Sequence, residues 1–211
     1  IKIAPLTRLE GHGNVIIKIE DGKLSEVELN IVESPRFFEK FLQGKPAEEA
    51  PRISERICGI CHVAHHLVSI KAVEAAWGIE LPEAAWELRE LLHMAGYITS
   101  HTLHLAFLAI PDLLDLPPEK RHILGLGEQN PQLLKQALSI YDYGLALTEI
   151  LGGKRVHVVT AIPGGMSKNV AEKERANLLG LASVAMASIE EMAGWFMDTI
   201  EKKVELANYP V

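Results

Sequence analysis

Three long stretches of helical pattern constrain what this chain can fold into. Leu81–Ile110 opens at Pro82, Asn130–Leu151 opens at Asn130-Pro131 and closes at Gly152-Gly153, and Ala171–Ala207 carries Ala, Leu and Met along one face. Asn caps a first turn, Pro fits its start, and Gly fits the position past the end, so these boundaries have a mechanism. A fourth helix is expected over Cys61–Trp77, where Leu67, Ile70, Val73 and Trp77 recur at helical spacing and Gly78 is a stop. Long helices bury their apolar stripes against one another, which predicts a bundle. Ahead of them, Val15–Ile19 and Val27–Val32 are β-branched and partly alternating, and Asp21-Gly22 between them is a strong short-turn signal. The expected fold class is therefore mainly α (α+β): a long-helix bundle with a small N-terminal β-hairpin. The expected division is a hairpin region over 1–34 and a helical domain over 35–211. Within the latter, Pro35–Gln43 reads as a short helix ended by Gly44, residues 111–127 as loop-rich, and 154–169 as a connector with a Gly-Gly turn. The 81–110 pattern reads as one helix with a bend near Gly96.

With 211 residues, 48% of them hydrophobic, the chain can bury a substantial core. Its formal net charge is −7, with both signs interspersed and no basic stripe, which argues against a nucleic-acid partner. No leader-like segment and no apolar run long enough to span a bilayer is visible. Only two cysteines occur, and as a single pair they are no disulfide framework, which favours a reducing compartment.

Both cysteines and three of the nine histidines fall in Arg56-Ile57-Cys58-Gly59-Ile60-Cys61-His62-Val63-Ala64-His65-His66. On a helical backbone, residues three and four apart share a face, a spacing that Cys58, Cys61 and His65 fit. Thiolates are soft ligands that suit iron, nickel, copper or zinc. From the residues alone four readings stay open. One is a thioredoxin-like redox pair, although Arg52–Arg56 is poor material for the strand that should precede it. Another is structural zinc, which wants four ligands and lacks a second cysteine pair here. The others are half of a redox metal site completed elsewhere, and inert buried cysteines. His93, His101 and His104 read as core histidines hydrogen-bonded to neighbours, and His157 as a contact to backbone or to a partner. The Met and Ala stripe of the last helix reads as core, with Glu172, Lys173, Glu174 and Arg175 on its wet side.

The surroundings of this stretch resemble the large, catalytic subunit of nickel–iron hydrogenases. Arg56-Ile57-Cys58-Gly59-Ile60-Cys61 with His65 is similar to that family's Arg-x-Cys-Gly-x-Cys-x-x-x-His motif. Leu6-Thr7-Arg8-Leu9-Glu10-Gly11-His12 resembles its Thr-Arg-x-Glu-Gly-His signature. Pro35–Phe41, and Gly152–His157 followed by Pro163-Gly164-Gly165, are similar to further family segments. His62 departs from the pattern, since many relatives have proline there. The resemblance runs from Ile3 to about the end and covers the N-terminal half of such a subunit; the family's second cysteine pair and C-terminal histidine are absent. It implies reversible oxidation of H2 at a nickel–iron centre with CO and cyanide on the iron. It implies Cys58 as a terminal nickel ligand, Cys61 as a bridge between nickel and iron, and His65 supporting the bridging sulfur. Glu10 is implied as a proton relay and Glu39 as a ligand to magnesium or a similar cation, with Arg36 nearby. The implied partners are a small subunit bearing iron–sulfur clusters, a C-terminal half carrying the second Cys-x-x-Cys, and carrier-reducing or heterodisulfide reductase subunits. The alternative is a non-catalytic assembly or structural module, metal-free or zinc-binding; its related protein, the quinone-proximal subunit of respiratory complex I, typically lacks the cysteines, so Cys58 and Cys61 argue against that relative.

Overall fold

A computed structural model describes residues 1–203, and its contacts divide into two units, Ile1–Phe37 and the chain from Phe38 onward. The first unit is a three-stranded antiparallel sheet, β1 (Lys2–Ile3), β2 (Gly13–Glu20) and β3 (Lys23–Ile31), in the order β1-β2-β3. The β2–β3 hairpin turns at Asp21-Gly22 as the sequence predicts, with φ of +51° and +74°, the left-handed pair that a two-residue hairpin requires. Its register pairs Val15 with Leu29 and Ile17 with Val27, and slips at Lys18/Ile19. β1 is an addition that the sequence did not announce, pairing Lys2 with Ile16.

The second unit is helical: α1 (Phe38–Leu42), α2 (Ala50–Ser54), α3 (His62–Trp77), α4 (Glu83–Leu103), α5 (Ile110–Leu113), α6 (Ile123–Gln129), α7 (Pro131–Gly152) and α8 (Glu172–Lys202). The short β4 (Ala161–Ile162) and β5 (Gly165–Met166) form a hairpin before α8. Asn130 Oδ1 accepts from the Leu133 amide at 3.1 Å and caps α7, and the amide of Ala171 donates to Glu174 at 2.9 Å at the start of α8. The last residues of the expected final helix, 204–207, lie outside the described residues.

Two cores result. One joins Val63, Leu67 and Ile70 of α3 to Leu92 and Ala95 of α4, Leu147 and Leu151 of α7, and Leu178 of α8. The other joins Ala106, Ile110 and Leu126 to Leu133, Ala137 and Ile140 of α7 and to Met192 of α8. α7 lies close on α4 because Gly144 has no side chain: a Cβ there would stand 2.8 Å from Thr99 Cγ2 and 2.9 Å from Ile98 Cγ2.

Several expectations are corrected. α4 runs through Gly96 as one helix and then passes into a π-helical segment, His104–Ala109, which the sequence did not announce and where the Ile110 amide bonds back to Leu105 O. Residues 111–127 are not loop-rich, since they hold the end of α5, a short 3-10 turn and most of α6. Gly125 is needed inside α6 because a Cβ there would collide with Lys120 O. Trp77 ends the α3 stripe half-exposed. His101 and His104 are exposed rather than core, while His93 is half-buried. They sit on a surface-facing side of α4, where the His93, Tyr97 and His101 rings line up. The Met and Ala stripe of α8 is only partly core: Ala185 and Met192 are buried, whereas Met186 and Met197 are exposed. No described helix is long and apolar enough to cross a membrane.

Candidate metal centre

A 3-10 turn over Glu55–Ile57 follows α2, Cys58 is extended (φ −143°, ψ 136°), and Cys61 stands at the N-cap of α3. The Cys61 carbonyl accepts the first helical bond, from the His65 amide at 3.2 Å. The loop between the cysteines therefore folds over the start of a helix whose amides lack intrahelical partners. Two amides are used on sulfur: Ile60 N and Cys61 N donate to Cys58 Sγ at 3.3 and 3.2 Å. Amide donors suit a sulfur that carries negative charge, as a metal-bound thiolate does. Cys61 is exposed and Cys58 partly so, which removes the reading of inert buried cysteines. Helical turns, α2 and Glu55–Ile57, lead directly into the pair where a strand would be needed, which removes the thioredoxin-like reading. Among the described residues, no group of three or more His, Cys, Asp or Glu side chains is placed to hold a metal. A closed four-ligand zinc site is thus not formed here, and two thiols fit half of a larger ligand set.

Behind the loop the environment is closed. His66 and Glu55 are both fully buried, with His66 Nδ1 2.8 Å from Glu55 Oε2. His66 Nε2 donates to Ala161 O at 3.0 Å. His62, also buried, packs against His157 with ring centroids 5.5 Å apart. Burial, with His157 and His66 alongside, pushes His62 down to about 4 against the pull of Glu55, so its ring is neutral at pH 7.

A family pattern described as nickel-dependent hydrogenase matches residues 36–119, and a HoxL-like pattern matches 1–34. Within the F420-non-reducing hydrogenase of the vhu type from Methanocaldococcus jannaschii, one subunit is 51% identical over 183 residues, which are 85% of this chain and 44% of that protein. This chain belongs to the nickel-dependent hydrogenases. The corresponding vhu protein of Methanococcus voltae is likewise 51% identical over 183 residues, covering 85% of this chain and 43% of that protein. The solved structure of an NAD+-reducing NiFe-hydrogenase in the H2-reduced state superposes with a TM-score of 0.89 and 37% identity, over 98% of this chain and 47% of that one. The hydrogenase chain thus spans less than half the length of the relatives it matches.

Of the expected site residues, Cys58, Cys61 and His65 lie at or just before the start of α3, with His65 half-buried, without forming a three-ligand group. Glu39 is exposed in the first turn of α1, and Glu10 is exposed in the segment joining β1 to β2 of the other unit. His157 meets His62 rather than backbone, at a positive φ of 57°.

Sequence reasoning missed the buried charged residues around the site. A second pair, Glu74 of α3 and Arg89 of α4, is bidentate at 2.7 and 2.9 Å. Arg89 Nη2 also donates to Ile162 O and Gly165 O, and the Gly164 amide donates to Glu74 Oε1. Burial pushes the Glu74 carboxyl up, but the bonds from Arg89 and the Gly164 amide outweigh it and hold the group below the usual carboxylate range. The one available signal was a charged residue at an otherwise apolar helical position: Glu74 sits beside Val73 in the last turns of α3.

Proposed function

We propose that this chain is the N-terminal half of the catalytic subunit of a nickel–iron hydrogenase, which interconverts H2 with two protons and two electrons. The observation that carries the reading is the Cys58–Cys61 pair at the N-terminus of α3, with amide donors on the Cys58 sulfur, on a helical scaffold shared with a solved NiFe-hydrogenase. In this reading Cys58 would hold nickel, and Cys61 would hold nickel together with an iron that binds CO and cyanide. The bound pair supplies a soft, redox-active centre for cleaving H2. His65 orients the bridging sulfur and tunes its basicity. Glu10 carries protons away, a role open to a carboxyl group whose surroundings bring it near neutrality. Glu39 supplies a hard oxygen ligand to magnesium or a similar cation.

Two thiolates leave such a centre under-coordinated. The remaining thiolates come from a second Cys-x-x-Cys outside these residues, in the C-terminal half of the subunit. Electrons leave through a small subunit bearing iron–sulfur clusters, towards a soluble carrier or a heterodisulfide reductase, in the cytoplasm. The test is metal analysis of the native complex together with infrared spectroscopy. Nickel with iron, and bands from iron-bound CO and cyanide, are expected; zinc alone, or no metal, would sink the reading.

A further inference from the structure

We propose that Glu55 and His66 are positioning residues that fix the separation of the two thiols by bracing the Cys58–Cys61 loop from behind. Glu55 lies three residues before Cys58 and His66 five after Cys61, so the pair spans the loop. Both side chains are fully buried. His66 Nε2 faces the Ala161 carbonyl, an acceptor only, so this nitrogen carries a proton. Nδ1 lies 2.8 Å from Glu55 Oε2, a close charge contact that is not aligned as a hydrogen bond. The other carboxylate oxygen, Oε1, is 3.7 Å from Arg56 Nε. The Ala161 carbonyl fixes the tautomer of the ring, and the buried Glu55 carboxylate against its other edge limits how the ring can turn.

The brace has an anchor. Ala161 belongs to the β4–β5 hairpin, which Arg89 and Glu74 grip from its other end through Ile162 O, Gly165 O and the Gly164 amide. The anchor also reaches α2 beside it, since Arg52 Nη2 donates to Val159 O at 3.0 Å. The loop itself faces outward: Gly59 has nothing within 4 Å of a notional Cβ, and Ile60 and Cys61 are exposed. An open loop with a buried, closely packed back is a preorganised two-thiol ligand. Without the brace its ends are free to drift, and the effective concentration of one thiol at the other falls.

The role of the brace in a nickel site rests on the proposed function, but the spacing of the thiols does not, so the test uses a probe that is not a biological metal. Phenylarsine oxide condenses with two nearby thiols, forming two As–S bonds and releasing water, with no change of oxidation state. Its affinity is measured on the purified, metal-stripped protein. Glu55→Ala is expected to weaken it about tenfold or more, and Glu55→Gln, whose amide can donate to Nδ1, to restore it to within about threefold. His66→Phe keeps the volume of the ring, loses both nitrogens, and is expected to behave like Glu55→Ala. Ile110→Ala opens a cavity in the second core and lowers the melting midpoint, and it should leave the arsenical affinity unchanged. The proposal is overturned by unchanged affinity in Glu55→Ala or His66→Phe, by an equal loss in Ile110→Ala, or by failure of both brace variants to fold, which would make the pair a determinant of the fold instead. Tight arsenical binding by a protein whose native complex holds no nickel and iron would leave the brace standing and defeat the proposed function alone.

Discussion

In the helical unit Glu74 meets Arg89 with both side chains nearly sealed from water, whereas in the N-terminal sheet Lys18 meets Glu26 and Glu28 in the open. The distances are alike: Lys18 Nζ is 2.7 and 2.5 Å from its two carboxylates, and Arg89 Nη2 is 2.7 Å from Glu74 Oε1. The surroundings are not. Around Glu74 and Arg89 the carbonyls and amide of a hairpin add hydrogen bonds, although Arg89 Nε is left without one, so removing one partner strands a desolvated charge. Around Lys18, water takes over whatever is removed. Apolar side chains divide in the same way: Leu92, Ile70 and Ile110 are fully buried, while Leu24, Leu29 and Ile31 of the sheet stand more than 60% exposed. The geometry of a contact therefore says less about its worth here than the unit it belongs to.

The sharpest way to use this contrast is on the proposed chemistry. Cys61→Ser, in the helical unit, is expected to abolish hydrogen uptake while leaving the fold intact, because a hydroxyl is a harder and far less acidic donor than a thiol. Dye-linked uptake and a melting curve read the two halves of that statement, and near-normal uptake in a metal-loaded variant would remove Cys61 from the site. Next in size, Arg89→Ala should cost the helical unit about 3–5 kcal/mol by leaving Glu74 buried and unpaired. Denaturant unfolding measures this, and a loss below about 1 kcal/mol would erase the distinction between the two kinds of pair.

In the sheet unit, Glu10→Gln keeps size and hydrogen bonding but cannot carry a proton. Turnover should fall by ~10², the scale of lost acid–base help, with nickel and iron content unchanged. A fall in metal content instead would mean that Glu10 helps to build the centre. Acid gives a smaller effect. The folded Glu74 carboxyl titrates below its ordinary value of 4.5, so its contribution is complete above that pH and is lost as pH drops through the lower folded value. Unfolding free energy measured from pH 6 downwards should decline below about 4.5 in the wild type and more weakly in Glu74→Gln. Smallest of all, Lys18→Ala should shift the midpoint only at low salt, and a shift that survives high salt would contradict the reading of that pair as solvent-screened.

Much of the frame was legible in the sequence because it rests on local rules. Asn130-Pro131, Gly78 and Asp21-Gly22 mark ends and turns through their own backbone preferences, and the Cys58–Cys61 spacing announces a pair of thiols on one side of a helix start. The brace was not legible. His66 reads as the second of two adjacent histidines, and its partners are a carboxylate from another turn and a carbonyl 95 residues away. Arg89 is likewise defined by carbonyls 73 and 76 residues distant. Such contacts exist only once α3, α4 and the β4–β5 hairpin have been brought together, so no window of sequence contains them.

The π-helical segment over His104–Ala109 has a bearing on how this chain is compared with others. Its hydrogen bonds close wider turns than those of α4, so each side chain beyond it is rotated relative to its place on an uninterrupted α-helix. That offset lets one rod present Leu92 and Ala95 to the first core and Ile110 to the second. A relative whose helix is regular over this stretch would need one residue fewer to reach the same face. An ungapped alignment of the two would then pair inward positions with outward ones from Ile110 onward, and Leu114 and the helix ends after it would look divergent where the structures coincide.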